Sequence, residues 1–380
     1  MGNKRPKFLF LTLHTFSLTG GIEKVCRILS KALSDSIAAK DLSGELEILS
    51  LCDQPGDVDI NYCGANTFRG YGYQRAKFVA AALLSGIKSE TIILSHINLL
   101  PVAFLVKFFS KKKKIIMLAH GIEVWREIGS WKKYFFRKHV EIWSVSEFTS
   151  QILQTKHQVS AHQIKLLNNC LDPYLALPQT FDKPAYLLER HHLQENQPII
   201  TTISRLSSFE LYKGYDLVIN TLPLMLSEFP DLVYLLGGKA DLKEKTRLMG
   251  LIAEKGLEKH VILTDFIPDE ELIDSFLLAD IFVMPSKKEG FGIVFIEAAA
   301  CGCPVIAGNQ DGSTDALLNG ELGLLINPES TKELTEAIRE TLAKGRSKIQ
   351  ALALQQKCVS NFGYAQYKQK VVKLLKINYE

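Results

Sequence analysis

The sequence is poor in cysteine and in long apolar runs. Its seven cysteines are scattered over 380 residues, with no Cys-x-x-Cys pair and no Cys/His spacing suited to zinc. This pattern argues against a disulfide framework and indicates a reducing compartment. The longest apolar stretch, residues 91–109, is interrupted by His96, Pro101 and Lys107, which would be costly in a lipid core. We therefore interpret it as a buried strand followed by a helix.

The amino-terminal residues also lack the pattern of a secretory signal. Residues 1–7 are polar and basic, and the apolar run that follows is broken by His14 after the length of one strand. We therefore expect a cytoplasmic protein. Hydrophobic residues make up 47% and charged residues 23% of the chain, which excludes wholesale disorder and fibrous repeats. One hydrophobic core serves roughly 250 to 300 residues at most, so the length predicts two domains.

The net charge of +4 is small but unevenly distributed. Residues 1–172 carry a net charge of +9 and the remainder carries −5. Basic residues cluster at 111–114 and within 125–139, where aromatic residues such as Phe135 and Phe136 lie among them. This composition suits an anionic membrane surface or a phosphorylated substrate, and a solvated face with a polar loop is the alternative.

Short apolar runs alternate with amphipathic stretches of helix length along the whole chain. This alternation is typical of α/β domains in which crossover helices join the strands of a parallel sheet. A proline-rich segment without periodicity, residues 173–190, is the expected linker between a domain at 1–172 and a second at 191–360. The expected strands are 8–13, 46–51, 91–95, 115–119 and 142–145 in the first domain, and 199–203, 232–236, 261–263, 281–284, 305–307 and 323–326 in the second.

Loops that follow the strands of a parallel sheet are where functional residues are expected, because ligands bind outside the carboxyl ends of the strands. Gly20 and Gly21 follow the first strand and precede a helix, so the backbone there can approach an anion; a tight turn is the alternative. His120 follows the strand at 115–119, where an imidazole can donate to a hydroxyl or to a developing charge; a structural role is the alternative.

The most informative segment is 289–297, which follows a strand and opens a helix. Glu289 and Glu297 flank Gly290 and Gly292. Eight residues rise by ~12 Å along a helix, which is too far for both carboxylates to act on one glycosidic bond. The two acids must therefore hold different ends of one ligand. The glycines free backbone N–H groups to face a phosphate, and a carboxylate can accept from both hydroxyls of a ribose.

This segment resembles the signature of family-4 retaining glycosyltransferases, in which two glutamates are separated by seven residues. The resemblance covers nearly the whole chain and implies the GT-B fold: two facing Rossmann-like domains with parallel sheets, a donor cleft between them, and a C-terminal helix, residues 361–380, that returns to the first domain. It implies that Glu289 contacts the transferred sugar and that Glu297 contacts the ribose. By the same resemblance, the other site residues are the diphosphate-binding pair Arg205 and Lys213, the acceptor-facing His120, the glycine loop of Gly20 and Gly21, the base-binding Gly238 and Phe266, and Gly290 with the backbone N–H groups of Phe291, Gly292, Ile293 and Val294.

The activity that the resemblance implies is transfer of a hexosyl group from a nucleotide sugar. UDP-glucose is the first expectation for the donor, on family frequency, and the acceptor is expected to be a saccharide or a lipid-linked saccharide of the envelope or an exopolysaccharide. Arg205 and Lys213 are suited to neutralise the departing diphosphate, so no metal or other cofactor is expected. We interpret the acidic sequence Asp57-Val58-Asp59 as a solvated loop rather than a metal site.

Other functions and partners follow from the same residues. A non-hydrolysing nucleotide-sugar epimerase of the same fold is the alternative enzyme. A nucleic-acid partner is not expected, because the carboxylates of Glu289 and Glu297 would repel a phosphate backbone. Peripheral contact with an anionic membrane, on the inner face of the plasma membrane, is expected from the basic residues within 125–139.

Overall fold

The structure is a computed structural model that describes residues 7–376. The chain divides into two compact units. The first holds the chain up to Pro173 and again from Gly363 onward, and the second is Tyr174–Phe362. The proline-rich segment expected as a linker therefore lies, from Tyr174 onward, within the second unit.

The first unit contains a parallel sheet flanked by helices. Residues 8–11 of its first strand are all apolar, and Phe8, Leu9, Phe10 and Leu11 are all 1% exposed or less, as expected when helices cover both faces of a parallel sheet. In chain order the elements before Pro173 are β1 (Lys7–Thr12), α1 (Gly21–Ala38), β2 (Glu45–Ser50), β3 (Phe68–Gly70), α2 (Arg75–Lys88), β4 (Thr91–Leu94), α3 (Leu100–Phe109), β5 (Lys114–Ala119), α4 (Ile122–Trp125), α5 (Ser130–His139), β6 (Glu141–Ser144), α6 (Glu147–His157) and β7 (Ile164–Leu166).

The second unit repeats this construction with a smaller sheet. Its elements are α7 (Ala185–Arg190), β8 (Ile199–Ile203), α8 (Tyr215–Met225), β9 (Val233–Gly237), α9 (Leu242–Glu254), β10 (Val261–Asp265), α10 (Leu272–Leu278), β11 (Ile281–Met284), α11 (Ile293–Ala300), β12 (Val305–Gly308), α12 (Ser313–Ala316), β13 (Leu324–Ile326), α13 (Thr331–Lys344) and α14 (Lys348–Phe362).

Both sheets have the strand order of a doubly wound fold. The first is β3-β2-β1-β4-β5-β6-β7 and the second is β10-β9-β8-β11-β12-β13, with every strand pair parallel. The order reverses between β1 and β4 and between β8 and β11. In such sheets a crevice opens beside the reversal, outside the carboxyl ends of the strands. The predicted α/β class with parallel sheets is confirmed.

A last helix, α15 (Tyr364–Lys376), belongs to the first unit although it follows the second in sequence. It packs against α1, and its Tyr364 hydroxyl donates to Asp35 Oδ2 at 2.7 Å. Tyr367, Val371 and Leu375 are buried on its inner face. The hydrophobic residues of this helix therefore complete the core of the first unit.

Two sequence interpretations concern the apolar and aromatic segments. Residues 91–109 form β4 and α3, and none of the helices described between residues 7 and 376 has the length and apolar character needed to cross a bilayer. The membrane-facing placement of Phe135 and Phe136 was wrong. Both lie on the inner face of α5 and are at most 2% exposed, because they fill the core beneath that helix.

Candidate active site

Glu289 lies in the loop between β11 and α11, and the end of this loop requires glycine. Gly292 has φ +86°, and a Cβ there would lie 2.3 Å from the ring of Phe295. The first N–H groups of α11, from Ile293 and Val294, have no acceptor within the helix. The loop therefore places a carboxylate just before a helix start whose backbone donors are available to an anion.

The same loop is anchored to the protein by its neighbours. Phe291 is 2% exposed and packs edge to face on Phe362, with ring centroids 5.5 Å apart. Gly312 lies in the loop after β12, and a Cβ on it would lie 2.1 Å from the carbonyl oxygen of Gly290. The loop after β12 and the loop that carries Glu289 are therefore in backbone contact. The ring of Phe291 therefore belongs to the core, and only its backbone is left for a ligand.

Lys213 and Glu289 form the central ion pair of the site. Lys213 Nζ donates to Glu289 Oε1, and both side chains are 14% exposed. Burial alone would lower the pKa of Lys213, but the charge and hydrogen bond of Glu289 outweigh that effect and raise the pKa above its ordinary value. Lys213 is therefore a fixed positive charge at neutral pH.

A short turn fixes the position of Lys213. Gly214 has φ +81°, and a Cβ there would lie 2.4 Å from the carbonyl oxygen of Pro285. The backbone N–H of Lys287 donates to the carbonyl of Tyr212 at 2.9 Å. The turn that carries Lys213 is thus held against the loop after β11, which also carries Glu289.

Asp311 is a site residue that the sequence analysis missed. It is fully buried after β12, and its Oδ2 accepts from the Glu289 backbone N–H at 2.7 Å while its Oδ1 accepts from the Ser313 N–H at 2.9 Å. The Gly312 N–H in turn donates to the Glu289 carbonyl at 2.8 Å. Burial raises the pKa of Asp311 to about 6. The only sequence signal was its place in an Asp-Gly-Ser turn directly after a strand.

Arg205 has a different partner from Lys213. Its Nη2 donates to Glu210 Oε1 at 2.7 Å, and its side chain is 72% exposed. Glu210 lies in the loop that joins Arg205 to Lys213. The structure therefore gives the two cations separate carboxylates, and a diphosphate that engaged both cations would have to share or replace those carboxylates.

The expected base-binding residues lie on loops that are tied to one another. Gly238 has φ +138°, and a Cβ there would lie 1.7 Å from the carbonyl oxygen of Ser204. Its N–H donates to the Asp265 carbonyl at 2.7 Å, and the next residue, Phe266, is 57% exposed. The loops after β8 and β9 and the end of β10 are thus joined by backbone contacts.

Glu297 is a buried acid in the second turn of α11. It is only 4% exposed and lies among the apolar residues of a helix that packs on α14. Burial of a carboxylate in such surroundings is costly. Its role toward a ribose stays a prediction.

In the first unit, the glycines after β1 differ in how closely they are packed. Gly20 is the N-cap of α1, and a Cβ on Gly20 would meet the Glu23 carboxylate, whereas Gly21 has open space around it.

The loop between β1 and these glycines is fixed by Asp53, which the sequence analysis also missed. This buried carboxylate accepts from the Thr15 N–H at 2.7 Å and from the Ser17 N–H at 3.0 Å.

His120 follows β5 and is held by Ser95, the residue directly after β4. Its Nε2 lies 2.9 Å from the carbonyl oxygen of Ser95, which can only accept, so Nε2 carries the proton. Burial lowers the pKa of His120 to about 4. The ring is therefore neutral at physiological pH. Its remaining nitrogen, Nδ1, is an acceptor rather than the donor that the sequence analysis expected.

Comparison with known proteins identifies relatives of this architecture. The family model described as glycosyl transferases group 1 matches residues 187–360. A GDP-mannose-dependent alpha-(1-6)-phosphatidylinositol monomannoside mannosyltransferase from Mycolicibacterium smegmatis is 33% identical over 172 residues, which are 43% of this chain and 44% of that protein. A D-inositol 3-phosphate glycosyltransferase from Acidothermus cellulolyticus is 31% identical over 140 residues, 35% of this chain and 31% of that protein. These alignments thus span less than half of each relative.

Solved structures resemble the whole chain. The Anabaena protein HepE, in complex with UDP-glucose, has a TM-score of 0.78 and 19% identity, and the match covers 97% of this chain and 99% of that one. Sucrose-phosphate synthase from Thermosynechococcus elongatus has a TM-score of 0.75 and 21% identity, and the match covers 99% of both chains. At these identities the likeness shows the fold alone. The predicted GT-B class, with a parallel sheet in each of two α/β domains, is confirmed.

Proposed function

We propose that the protein is a retaining, metal-independent glycosyltransferase of family 4, acting on a nucleotide sugar. The observation that carries this proposal is the buried Lys213–Glu289 pair beside the start of α11. A fixed cation and free helix N–H groups suit a diphosphate, and a carboxylate beside them suits sugar hydroxyls. The match of residues 187–360 to glycosyl transferases group 1 supports the same assignment.

The residues divide the chemistry among them. As the bond from the anomeric carbon to the diphosphate breaks, negative charge grows on the departing oxygen, and Lys213 and Arg205 stabilise it. A bond from the acceptor oxygen forms on the same face of the sugar, and the acceptor's proton passes to the leaving phosphate. Glu289 orients the transferred hexose and Glu297 holds the ribose. His120 accepts a hydrogen bond from a substrate hydroxyl at its Nδ1. The transfer needs no metal because the two cations supply the positive charge.

UDP-glucose is the proposed donor, and GDP-mannose is the second candidate. HepE, which shares the fold, binds UDP-glucose, whereas the mycobacterial relative is named for its use of GDP-mannose. That relative also acts on a phosphatidylinositol mannoside. Its name supports a saccharide or lipid-linked saccharide as the acceptor here. Transfer to such an acceptor is proposed to take place in the cytoplasm, at the membrane surface.

Titration calorimetry tests this proposal. UDP, UDP-glucose, GDP and GDP-mannose are titrated separately into the protein with excess EDTA present. We expect one nucleotide and its sugar derivative to bind, because the positive charge is part of the protein. No binding by any of them, or binding that returns only with magnesium, would contradict the proposal. Interconversion of free donor sugars without an acceptor would instead identify an epimerase.

Lys213→Ala should then lower turnover by ~100-fold while weakening the nucleoside diphosphate less, because the stabilised charge develops only in the transition state. Lys357→Ala is a matched control. Lys357 is also paired with a glutamate, Glu321, but it lies on α14. Lys357→Ala should leave both turnover and the affinity for the nucleoside diphosphate unchanged.

A further inference from the structure

The helix α3 has an apolar surface that the first unit does not bury. Its sequence, LPVAFLVKFF, is apolar apart from Lys107, a composition normally found in helices that are covered all round. Val102, Ala103 and Val106 face the core, yet Phe108 is 71% exposed and Phe109 is 65% exposed. Two aromatic rings on one turn of a helix are therefore in contact with solvent.

Neighbouring helices enlarge this surface. The ring of Phe104, on α3, packs edge to face on Trp131 of α5 at 5.8 Å, and Tyr134 is exposed one turn further along α5. The helix α2 packs on α3 and adds the exposed Leu84 and Ile87. We call this surface the aromatic face; it consists of Leu84, Ile87, Phe104, Leu105, Phe108, Phe109, Trp131 and Tyr134.

Positive charge borders the aromatic face. Lys111 and Lys112 follow α3 directly and are exposed, and Lys138 is exposed near the end of α5. A hollow of about 230 Å³ lies between the ends of these two helices and is lined by Lys107, Lys113, Lys114, Lys138, His139 and Glu141. The glutamate there is paired with Lys114, so the lysines outnumber the acid.

We propose that the aromatic face docks on an anionic lipid bilayer, with its rings in the interface and the bordering lysines against lipid phosphates. Aromatic side chains favour the membrane interface, and lysines beside them favour anionic leaflets. A second copy of the chain fits less well, because a two-fold contact through this face would bring the same lysines together. The proposed function supplies a reason for the docking, a lipid-linked acceptor, but the docking does not depend on it.

Vesicle sedimentation tests the docking. The full chain is mixed with vesicles of phosphatidylcholine alone or of phosphatidylcholine with phosphatidylglycerol, and we expect it to sediment only with the anionic vesicles. The double variant F108S/F109S should bind at least roughly tenfold more weakly, because two buried rings are lost from the interface. Ile349→Ser, at an 82% exposed position on α14, is the matched control and should bind like the parent.

A second arm tests the charge. Each lysine near an anionic leaflet contributes about 1 kcal/mol, so K111Q/K112Q should weaken binding roughly 30-fold. K243Q/K259Q removes two exposed lysines from the second unit and should have little effect. Added salt should weaken the parent's binding, because exposed charges are screened beyond a Debye length of about 8 Å at physiological ionic strength.

Three results would overturn the inference. These are sedimentation of F108S/F109S equal to that of the parent, equal binding to neutral and anionic vesicles, and a concentration-dependent dimer that F108S/F109S abolishes without any vesicle binding. Calorimetry with the nucleotide on the same variants keeps the two proposals separate. If a variant loses vesicle binding but still binds the nucleotide, the variant affects only the membrane contact. If the parent binds vesicles but no nucleotide, the docking inference stands and the proposed function is wrong.

Discussion

The candidate catalytic cations of the second unit differ in their surroundings from the lysines beside the aromatic face of the first unit. In the second unit the candidate catalytic cations are each held by a carboxylate, Lys213 by Glu289 and Arg205 by Glu210. In the first unit the lysines beside the aromatic face outnumber the acids, and Lys111 and Lys112 are exposed. The candidate site therefore holds its cations in ion pairs, whereas Lys111 and Lys112 are presented to solvent.

This difference matches what each surface is proposed to bind. A group that stabilises charge in a transition state acts best when it is already oriented, so that no reorganisation is needed as the bond breaks. A leaflet of anionic lipids is a diffuse field, and flexible lysines can follow it without a fixed geometry. Variants of the paired residues should therefore lower turnover, whereas variants of the exposed lysines should weaken binding to the membrane.

The largest expected effect separates the two glutamates of the second unit. Glu289→Ala should lower turnover by ~100-fold or more while leaving UDP affinity nearly unchanged, because this carboxylate is proposed to contact the sugar. Glu297→Ala should weaken UDP itself. Calorimetry with UDP and with UDP-glucose measures both effects, and the reverse pattern would exchange the two roles.

An intermediate effect concerns Asp311 and pH. Burial raises the pKa of Asp311 from 3.8 to about 6, so between these values the folded protein keeps a proton that the unfolded chain has released. The folded state is therefore favoured at low pH, and up to about 3 kcal/mol of this advantage is lost as the pH rises through about 6. Asp311→Asn cannot titrate. The stability of the parent relative to this variant should fall between roughly pH 4 and pH 7 in thermal melts.

The same variant should also affect turnover. An asparagine at 311 has one accepting oxygen for the two N–H groups of Glu289 and Ser313, so the loop that carries Glu289 loses a hydrogen bond. Turnover should fall more than UDP affinity. Asp269→Asn, at an exposed position outside the site, is the control for both measurements. A stability difference that does not vary with pH would show that Asp311 is already ionised throughout this range.

The sequence predicted the sheets better than it predicted how the loops are held. Continuous apolar runs identify buried parallel strands, but β3 and β7 are three residues long and each has a charged residue, Arg69 or Lys165, at its centre, so neither contains an apolar run. Phe135 and Phe136 were misplaced because basic neighbours in sequence hide a helical periodicity that directs the two rings inward. Phe108 and Phe109 were missed as surface residues because an apolar run favours burial.

Within the candidate site, the motif predicted a role for Glu289 and its glycines, because their spacing is local. Asp311 and Asp53 act on residues 22 and 36 to 38 positions away, so only the folded chain shows that they fix the catalytic loop and the glycine loop. The tautomer of His120 is likewise set by Ser95, the residue directly after β4, and the spacing of residues in the sequence does not show this contact.

The smallest expected effect compares two exposed ion pairs of the second unit. Arg205 pairs with Glu210, and Arg339 pairs with both carboxylate oxygens of Glu228 at 2.9 Å. Exposed pairs contribute about 1 kcal/mol or less, so Arg205→Ala and Arg339→Ala should each leave the melting temperature almost unchanged. Only Arg205→Ala should reduce turnover, since only this guanidinium is proposed to meet the diphosphate. If Arg205→Ala destabilises the protein while its turnover equals that of Arg339→Ala, then the Arg205–Glu210 pair serves the fold and the leaving group depends on Lys213 alone.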